Sequence, residues 1–284
     1  MDKETVISTN RLFHYTSSKK ILISILNNGF QTRFSLEKLG IIKKNGFLNS
    51  LAKILNRKVP EDNITDEFAI PMCCFCDIPL NLVYNHVKVY GEYSIGLKKD
   101  WGEKLAICPV IYLPDYGETR ALFENLIRNH KKNIRKLYDC QTTKRKENKF
   151  REELLCIDVI NFYDIIVDLS MFVKPYSGFF EKGNYKNDNH KFYDEREWRY
   201  KPDKMLFKSY MTKQEYDSFN SSDERNKNMQ NIDFDLADIT DIIVPENEVI
   251  NLRNLITKLP KYKNLDVKII DSLKNKIKST SPNS

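Results

Sequence analysis

The 284-residue chain has few of the residues that interrupt or cross-link a fold. It contains nine glycines and ten prolines, too few for a collagen-like or linker-rich protein. Its six cysteines are too sparse for a disulfide scaffold, so we expect a reducing, cytoplasmic compartment. No run of about eighteen apolar residues occurs, and residues 1–10 have no apolar signal core. We therefore expect neither a membrane segment nor a secretory signal.

Two common sequence signatures are also missing. The chain has no internal repeat and no glycine-rich phosphate loop of either common type, which argues against a Rossmann or P-loop domain. Hydrophobic residues make up 41% of the chain and charged residues 30%. That composition is typical of a globular protein with a sizeable core.

Positive charge is concentrated in two segments, residues 128–151 and the C-terminal stretch 261–278, which contains six Lys and two Asp. The net charge is +7, and residues 128–151 alone contain ten Lys or Arg and two acidic residues. Such a segment can bind an anionic partner, nucleic acid above all, or it can be a solvated helical face. The candidate nucleic-acid-binding residues are Lys131, Lys132, Arg135, Lys144, Arg145 and Lys146.

Strand and helix patterns alternate along the chain. Apolar and aromatic runs predict strands at 11–16, 69–75, 93–97, 110–113, 192–200, 239–245 and 265–270. Helical spacing predicts helices at 21–26, 48–55, 80–89, 118–137, 154–173 and 249–259. Ser17 and Ser18 offer N-caps for the first of these helices, and Gly29 is predicted to end it. Residues 178–189 are predicted to be a polar loop, and disorder is expected after residue 274.

These elements predict a single α+β domain. We expect it to cover residues 1–275, with helical insertions near 31–68 and 115–190, and to be followed by a flexible tail at 276–284. Strands at both ends and in the middle, with helices between them, favour this arrangement over a regular βαβ fold.

The cysteine cluster Cys73, Cys74 and Cys76 raises the question of a metal site. Two thiolates can bind one zinc ion across a C-x-C step, but no second pair follows at the spacing of a zinc finger. Cysteine also packs well as a small apolar residue in a buried strand. We therefore predict no metal.

The segment 194–200 carries the most chemistry. If it is a strand, Glu195, Glu197 and Arg199 fall on one face, because side chains alternate. The two carboxylates would then be about 7 Å apart at the backbone and could point into one cleft. The alternative is an edge strand with solvated ion pairs.

Several blocks resemble a known family. Residues 13–17 and 22–29, then 71–80, 90–102, 194–200 and 242–246, are similar in order and residue type to the AbiGi-type abortive phage-resistance proteins. The resemblance spans most of the chain, and its long middle motif is specific. It implies a role in defence against phage, and also an antitoxin-like role beside a partner protein.

The order of motifs also resembles, more distantly, the ADP-ribosyltransferase fold. That resemblance implies mixed or antiparallel sheets, NAD as substrate and no metal. It implies that Glu197 is the catalytic carboxylate, with Glu195 assisting the acceptor, and that His14, Tyr15 and Thr16 bind NAD. The aromatic position beside nicotinamide falls on Tyr93 or Ser94, with Tyr90 left open. By pattern alone, a lone histidine in such an apolar stretch is most often structural; the resemblance is what favours ligand binding by His14.

Three functions follow as expectations. The first is transfer of ADP-ribose from NAD to a cellular macromolecule, RNA or DNA among the candidates, during abortive infection. The second is a catalytically silent regulatory or antitoxin partner in a two-gene defence system. The third, a plain nucleic-acid-binding module, leaves the Glu195-x-Glu197 pattern unexplained.

Overall fold

The structure, a computed structural model, describes residues 8–38, 67–126, 129, 132, 165, 168–169, 171–202, 210–222 and 230–280. Within these residues the chain combines a large mixed sheet with several helices, which confirms the α+β class. The predicted helix at 48–55 lies outside the described residues, as do most of 127–137 and 154–170.

The strands are short, apart from one of ten residues. They are β1 Arg11–Thr16, β2 Phe30–Gln31, β3 Arg33–Lys38, β4 Glu67–Cys76, β5 Tyr93–Lys98, β6 Cys108–Pro109, β7 Ile111–Leu113, β8 Val173–Pro175, β9 Gly178–Lys182, β10 Tyr185–His190, β11 Glu197–Tyr200, β12 Met211–Thr212, β13 Asn231–Ile232, β14 Ile239–Ile243 and β15 Ile270–Asp271.

The α-helices that position the site are also short. They are α1 Lys19–Asn28, α2 Tyr84–Tyr90, α3 Lys99–Lys104, α4 Lys213–Asn220, α5 Val249–Ile256 and α6 Leu273–Thr280. Residues 118–126 are helical as well. Single 3-10 turns cover Leu80–Leu82, Phe192–Glu195, Leu236–Asp238, Glu246–Glu248, Pro260–Tyr262 and Val267–Ile269.

The main sheet has nine strands. Its order is β15-β14-β5-β1-β4-β11-β6, and the long strand β4 also pairs with β3 and β12. All pairs in this sheet are antiparallel except β14 with β15, which run parallel. The first strand of the chain, β1, therefore lies in the middle of the sheet between β5 and β4, whereas the last strand, β15, lies at one edge.

The sheet opens between β1 and β4. These two strands share one register pair, Phe13 with Cys76, although β1 pairs with β5 over its whole length. The Nδ1 atom of His14 lies 2.8 Å from the carbonyl oxygen of Cys74, so a side chain satisfies a carbonyl that a regular ladder would pair with a backbone N–H. The gap between the strands leads into the cavity described below.

Helices cover both faces of the sheet. On the face of Leu12, the apolar sides of α1 and α5 pack with Trp101 of α3. On the face of Phe13 and Tyr15, helix α2 and the start of α6 form a smaller apolar cluster. The two faces of β1 are therefore both buried, which explains why its sequence is apolar without a clear alternation.

Helix α1 begins and ends as its sequence predicts. The Ser18 side chain accepts from the N–H of Ile21, and Gly29 ends the helix at a φ of +78°. A β-carbon at Gly29 would lie 2.7 Å from the carbonyl oxygen of Ile232, so glycine is required there by both conformation and space. This end fixes Phe30 against the sheet.

Several elements differ from the sequence prediction. The predicted polar loop at 178–189 is the hairpin β9–β10, whose turn uses Gly183 at a φ of +57°. Its strands are polar on the solvent side, so they lack the apolar alternation that marks a strand. The insertion predicted near 31–68 begins with strand β3 rather than a helix, and Val173 starts strand β8 instead of ending a helix.

The predicted strand at 192–200 is broken. A 3-10 turn covers Phe192–Glu195, and Arg196 adopts the left-handed conformation at a φ of +44°. Its carbonyl then accepts from the N–H of Asp77 at 3.0 Å, and β11 starts only at Glu197. The predicted strand at 265–270 is likewise mostly a 3-10 turn, with β15 confined to Ile270–Asp271.

The prediction of disorder after residue 274 is wrong for the described part. Residues Leu273–Thr280 form α6, because Leu273 packs on the sheet and Lys276 forms an ion pair with the buried Asp241 at 3.1 Å. No helix among the described residues is long and apolar enough to cross a membrane.

Candidate functional site

One cavity of about 670 Å³ occupies the opening between β1 and β4. It is lined by His14, Tyr15 and Thr16 of β1, by β3 and β4, by the end of α2, by the β9–β10 hairpin and by Glu195 and Glu197. Elements from both halves of the chain thus converge on one space of the size that small-molecule ligands occupy.

A pair of buried carboxylates forms one wall. Glu195 ends a 3-10 turn and Glu197 starts β11, with the left-handed Arg196 between them. The two residues are 5% and 7% exposed, and both face the same side. The Nζ atom of Lys174 bridges them, at 2.6 Å from Glu195 Oε2 and 2.8 Å from Glu197 Oε2.

Arg199 extends this network into the sheet. Its Nε atom donates to Glu197 Oε1 at 2.7 Å, and its Nη2 atom donates to Glu37 of β3 at 3.1 Å. Its third bond, from Nη1, goes to the carbonyl of Met171 at 2.6 Å. Arg199 is 1% exposed, so the guanidinium is fully paired inside the protein, as a buried charge must be.

The network keeps its carboxylates ionised. Burial alone raises the pKa of Glu195, but Lys174 and the hydrogen bond from His190 outweigh burial and lower that pKa to about 2. The pKa of Glu197 is also held well below its usual range, because Arg199 and Lys174 outweigh its burial. The same contacts raise the pKa values of Lys174 and Arg199 above their ordinary ranges. Three carboxylates and two cations remain, so the network has one excess negative charge.

Tyr90 links the carboxylates to an aromatic wall. Its hydroxyl donates to Glu195 Oε1 at 2.7 Å, and burial holds the pKa of Tyr90 well above its usual range, so that proton stays in place. The Tyr90 ring stacks on His86 with centroids 4.3 Å apart, and His86 meets Tyr15 edge-on at 5.1 Å. Burial lowers the pKa of His86 to about 4, so this wall is neutral.

His190 holds Glu195 from the hairpin side. Its Nε2 atom lies 3.0 Å from Glu195 Oε1 and must donate, since a carboxylate only accepts. Its Nδ1 atom hydrogen-bonds with the hydroxyl of Tyr185 at 3.2 Å. The hairpin that sequence analysis missed therefore fixes the position of a predicted catalytic residue.

His14 is a neutral acceptor at the other side of the cavity. Because a carbonyl oxygen only accepts, the bond to Cys74 assigns the proton to Nδ1 and leaves Nε2 without one. Burial lowers the pKa of His14, so the ring is uncharged at neutral pH. Phe30 and Phe75 hold the ring edge-on at 5.2 Å and 5.7 Å.

The remaining predicted residues divide into two groups. Tyr15 and Thr16 line the cavity, and among the described residues the buried hydroxyl of Tyr15 has no hydrogen-bond partner. Tyr93 and Ser94 do not line it: they lie on β5, opposite Thr16 and Tyr15 in the register, with Ser94 fully buried. Of the three residues left open for the aromatic position, the structure brings only Tyr90 to the cavity.

The basic segment is mostly beyond what the structure describes. Lys132 is an exposed helical residue, whereas Lys131, Arg135, Lys144, Arg145 and Lys146 lie outside the described residues. The nucleic-acid interface therefore stays a prediction.

Metal ligands are not grouped in the described part of the chain: no three His, Cys, Asp or Glu side chains there could hold an ion. Cys73 and Cys76 are buried in β4 as free thiols. Burial raises the pKa of Cys73 to about 12, so this thiol packs as a neutral group.

Sequence comparison adds the family. A sequence model of one protein family matches residues 52–245, and its description is "Putative abortive phage resistance protein AbiGi, antitoxin". The chain belongs to the AbiGi family. A protein of Lactococcus lactis subsp. cremoris named "Abortive phage resistance protein AbiGi" is 28% identical over 157 residues, which are 51% of this chain and 57% of that protein. No solved structure matches the chain.

The comparisons confirm the AbiGi resemblance and leave the more distant one as a prediction. Glu195, Glu197, Lys174 and Tyr90 lie inside the residues matched by the AbiGi family, whereas His14 and Glu37 precede them. The chain spans little more than half the length of the Lactococcus relative.

Proposed function

We propose that this member of the AbiGi family acts in defence against phage by transferring ADP-ribose from NAD to a cellular macromolecule. One observation carries the proposal: His14 and the Glu195–Glu197 pair, far apart in sequence, line one cavity with Tyr90. The motif order predicted that these residues act together, and their convergence supports that prediction.

The charge of the site suits the chemistry. Breaking the bond between ribose C1′ and nicotinamide sends the bonding electron pair to nicotinamide, which leaves neutral, and positive charge develops at C1′. A fixed carboxylate beside C1′ stabilises that charge without a metal. The excess negative charge of the network at Glu197 would serve this purpose, and an acceptor hydroxyl would then bond to C1′.

We propose a role for Glu195 that differs from assistance to the acceptor. A carboxylate whose pKa is about 2 is a weak base at neutral pH, so we assign the acceptor's proton to solvent water. Glu195 would instead orient the site through its bonds to Tyr90, His190 and Lys174. The Nε2 atom of His14 would accept a hydrogen bond from a hydroxyl of the adenosine ribose.

The test uses purified protein and NAD labelled in its adenylate part. Protein, RNA and DNA fractions of a cell lysate are incubated with the wild type, Glu197→Gln and the control Asp194→Asn, which changes a neighbouring exposed carboxylate. We expect label in one fraction, together with free nicotinamide, from the wild type and the control. Glu197→Gln should lose several orders of magnitude in rate. Equal transfer by Glu197→Gln would refute the assignment.

A second candidate function is that of a non-enzymatic antitoxin. Each carboxylate oxygen of Glu195 and Glu197 already has a partner within the protein, so the network could serve only to hold the sheet together. The family description also contains the word antitoxin. Expression in cells separates the two: an enzyme should arrest growth and Glu197→Gln should not, whereas a silent partner should leave growth unchanged in both cases.

A further inference from the structure

Two cations in the cavity stand apart from the carboxylate network. Lys182 closes strand β9 at the hairpin turn, and Arg33 opens strand β3; both line the cavity. Among the described residues neither makes an ion pair, in contrast to Lys174 and Arg199 nearby. An unpaired cation at the wall of a cavity is available to a ligand's negative charge.

Lys182 rests on the aromatic wall. Its Nζ atom lies 3.9 Å from the centroid of the Tyr90 ring, the ring whose hydroxyl is bonded to Glu195. Its charge also acts on His14, whose pKa it helps to lower. The ammonium therefore lies over the aromatic surface that a planar ligand would use.

Different parts of the cavity lining consequently carry opposite charge. Glu37, Glu195 and Glu197 exceed Lys174 and Arg199 by one negative charge at the β11 wall, and Lys182 and Arg33 supply two positive charges elsewhere on the lining. A ligand that fits this pattern carries a positive centre and, a few bonds away, a strongly negative group. A dinucleotide with a nicotinamide ring and a diphosphate has both.

We propose that Lys182 and Arg33 bind the diphosphate of this ligand, and that Lys182 leaves the Tyr90 ring to do so. The inference rests on the proposed function for the identity of the ligand. A cation–π contact of an exposed lysine is weak, whereas an ammonium–phosphate hydrogen bond is charge-assisted and stronger. Entry of the ligand therefore replaces the weak contact between Lys182 and the Tyr90 ring by a stronger bond between Lys182 and phosphate. It also leaves the Tyr90 ring free to stack on the nicotinamide ring.

The hairpin supplies a matched control. Lys186, on the neighbouring strand β10, is also an exposed lysine over an aromatic ring, at 5.5 Å from the centroid of Phe179, but it does not line the cavity. Lys182→Met and Lys186→Met each remove one charge from the same hairpin and keep an unbranched side chain. Only the first should change binding.

The experiment measures the binding of ADP and of adenosine by calorimetry. The wild type should bind ADP more tightly than adenosine. Lys182→Met should lower the affinity for ADP by about tenfold to a hundredfold, the range of a charged hydrogen bond, and should leave the affinity for adenosine unchanged. Arg33→Met should weaken ADP as well, Lys182→Arg should keep most of the affinity, and Lys186→Met should match the wild type.

The outcomes separate this inference from the proposed function. Equal binding of ADP and adenosine to the wild type, including no binding of either, overturns the inference, as does equal ADP binding by Lys182→Met and the wild type. NAD cleavage is followed in parallel. If ADP binding depends on Lys182 but NAD is not cleaved, the diphosphate site stands and the proposed transferase activity is refuted. If NAD is cleaved but ADP binding does not depend on Lys182, the transferase activity stands and the diphosphate site is refuted.

Discussion

Lys174 is the residue on which the carboxylate wall most depends. It is the cation shared by Glu195 and Glu197, with its Nζ atom within 2.8 Å of an oxygen of each. Replacing it by methionine keeps an unbranched chain of similar length and removes the charge. Three carboxylates would then face one guanidinium, because the carboxylates that pair with Arg199 in the described part of the chain are Glu197 and Glu37.

The size of the effect can be worked from these contacts. Removing one partner from a buried ion pair costs about 3–5 kcal/mol of unfolding free energy. Two unit charges about 5 Å apart repel each other by about 3 kcal/mol at an effective dielectric constant of ~20. That repulsion corresponds to roughly two pKa units, so one carboxyl of the pair should titrate well above its usual range in Lys174→Met.

The pH dependence has opposite signs in the two proteins. In the wild type the folded pKa of Glu195, about 2, is below its unfolded value, so its stabilising contribution is complete above about pH 5 and is lost as pH falls towards 2. In Lys174→Met the raised carboxyl stabilises the fold at low pH, and that contribution is lost as pH rises through its folded pKa. The difference between the two proteins should therefore shrink from pH 7 to pH 4.

Urea unfolding at pH 7 and pH 4 measures this difference. The control is Lys201→Met, which removes a half-exposed ion pair with Asp168 at 2.9 Å and should cost at most about 1 kcal/mol at either pH. A loss below about 1 kcal/mol for Lys174→Met at pH 7, or an equal loss at both pH values, would show that the wall does not depend on this lysine.

Two further predictions concern the backbone and the basic segment. Gly91→Ala should lower the free energy of unfolding by about 2–4 kcal/mol, because Gly91 has a φ of +104° and a β-carbon there would lie 2.4 Å from the carbonyl oxygen of Thr16. Gly183→Ala, with open space around a φ of +57°, should lower it by only about 1 kcal/mol. Thermal unfolding of both variants measures the difference. If the basic segment binds RNA, changing Lys144, Arg145 and Lys146 to alanine should reduce the slope of log affinity against log salt by about 2, and an unchanged slope would place the interface elsewhere.

The sequence predicted the elements whose pattern is strong. Strand β1, the cap at Ser18, the stop at Gly29 and the buried strand β4 all follow from local rules, and the structure has them close to the predicted bounds. The β9–β10 hairpin could not be predicted in this way, because its two strands are polar and lack the apolar alternation that marks a strand. Helix α6 was missed because its stability comes from Asp241, far away in the sequence.

The candidate site was predicted in part. Alternation along 194–200 correctly placed Glu195, Glu197 and Arg199 on one side, although the chain reaches that arrangement through a left-handed Arg196 and not through a continuous strand. Lys174 and Glu37 carried no signal, since each lies in a segment with no motif. They join the network only in the folded chain, Lys174 by contacting both Glu195 and Glu197 and Glu37 by contacting Arg199. Tyr90 was one of three open choices for the aromatic position. What distinguishes it from Tyr93 and Ser94 is that it lines the cavity at the opening between β1 and β4, which the sequence does not show.

The cost of the network bears on which function it serves. Replacing a buried set of ion pairs by apolar side chains of similar volume is often neutral or stabilising, so three carboxylates and two cations are an inefficient means of holding β4 and β11 together. The network moreover lies at the wall of a cavity, where its excess charge faces open space instead of packed side chains. Strongly shifted pKa values in a cleft are characteristic of functional sites. An antitoxin that needed only a surface would have no use for a charged interior, and this argument favours a ligand-binding cavity over a purely structural core.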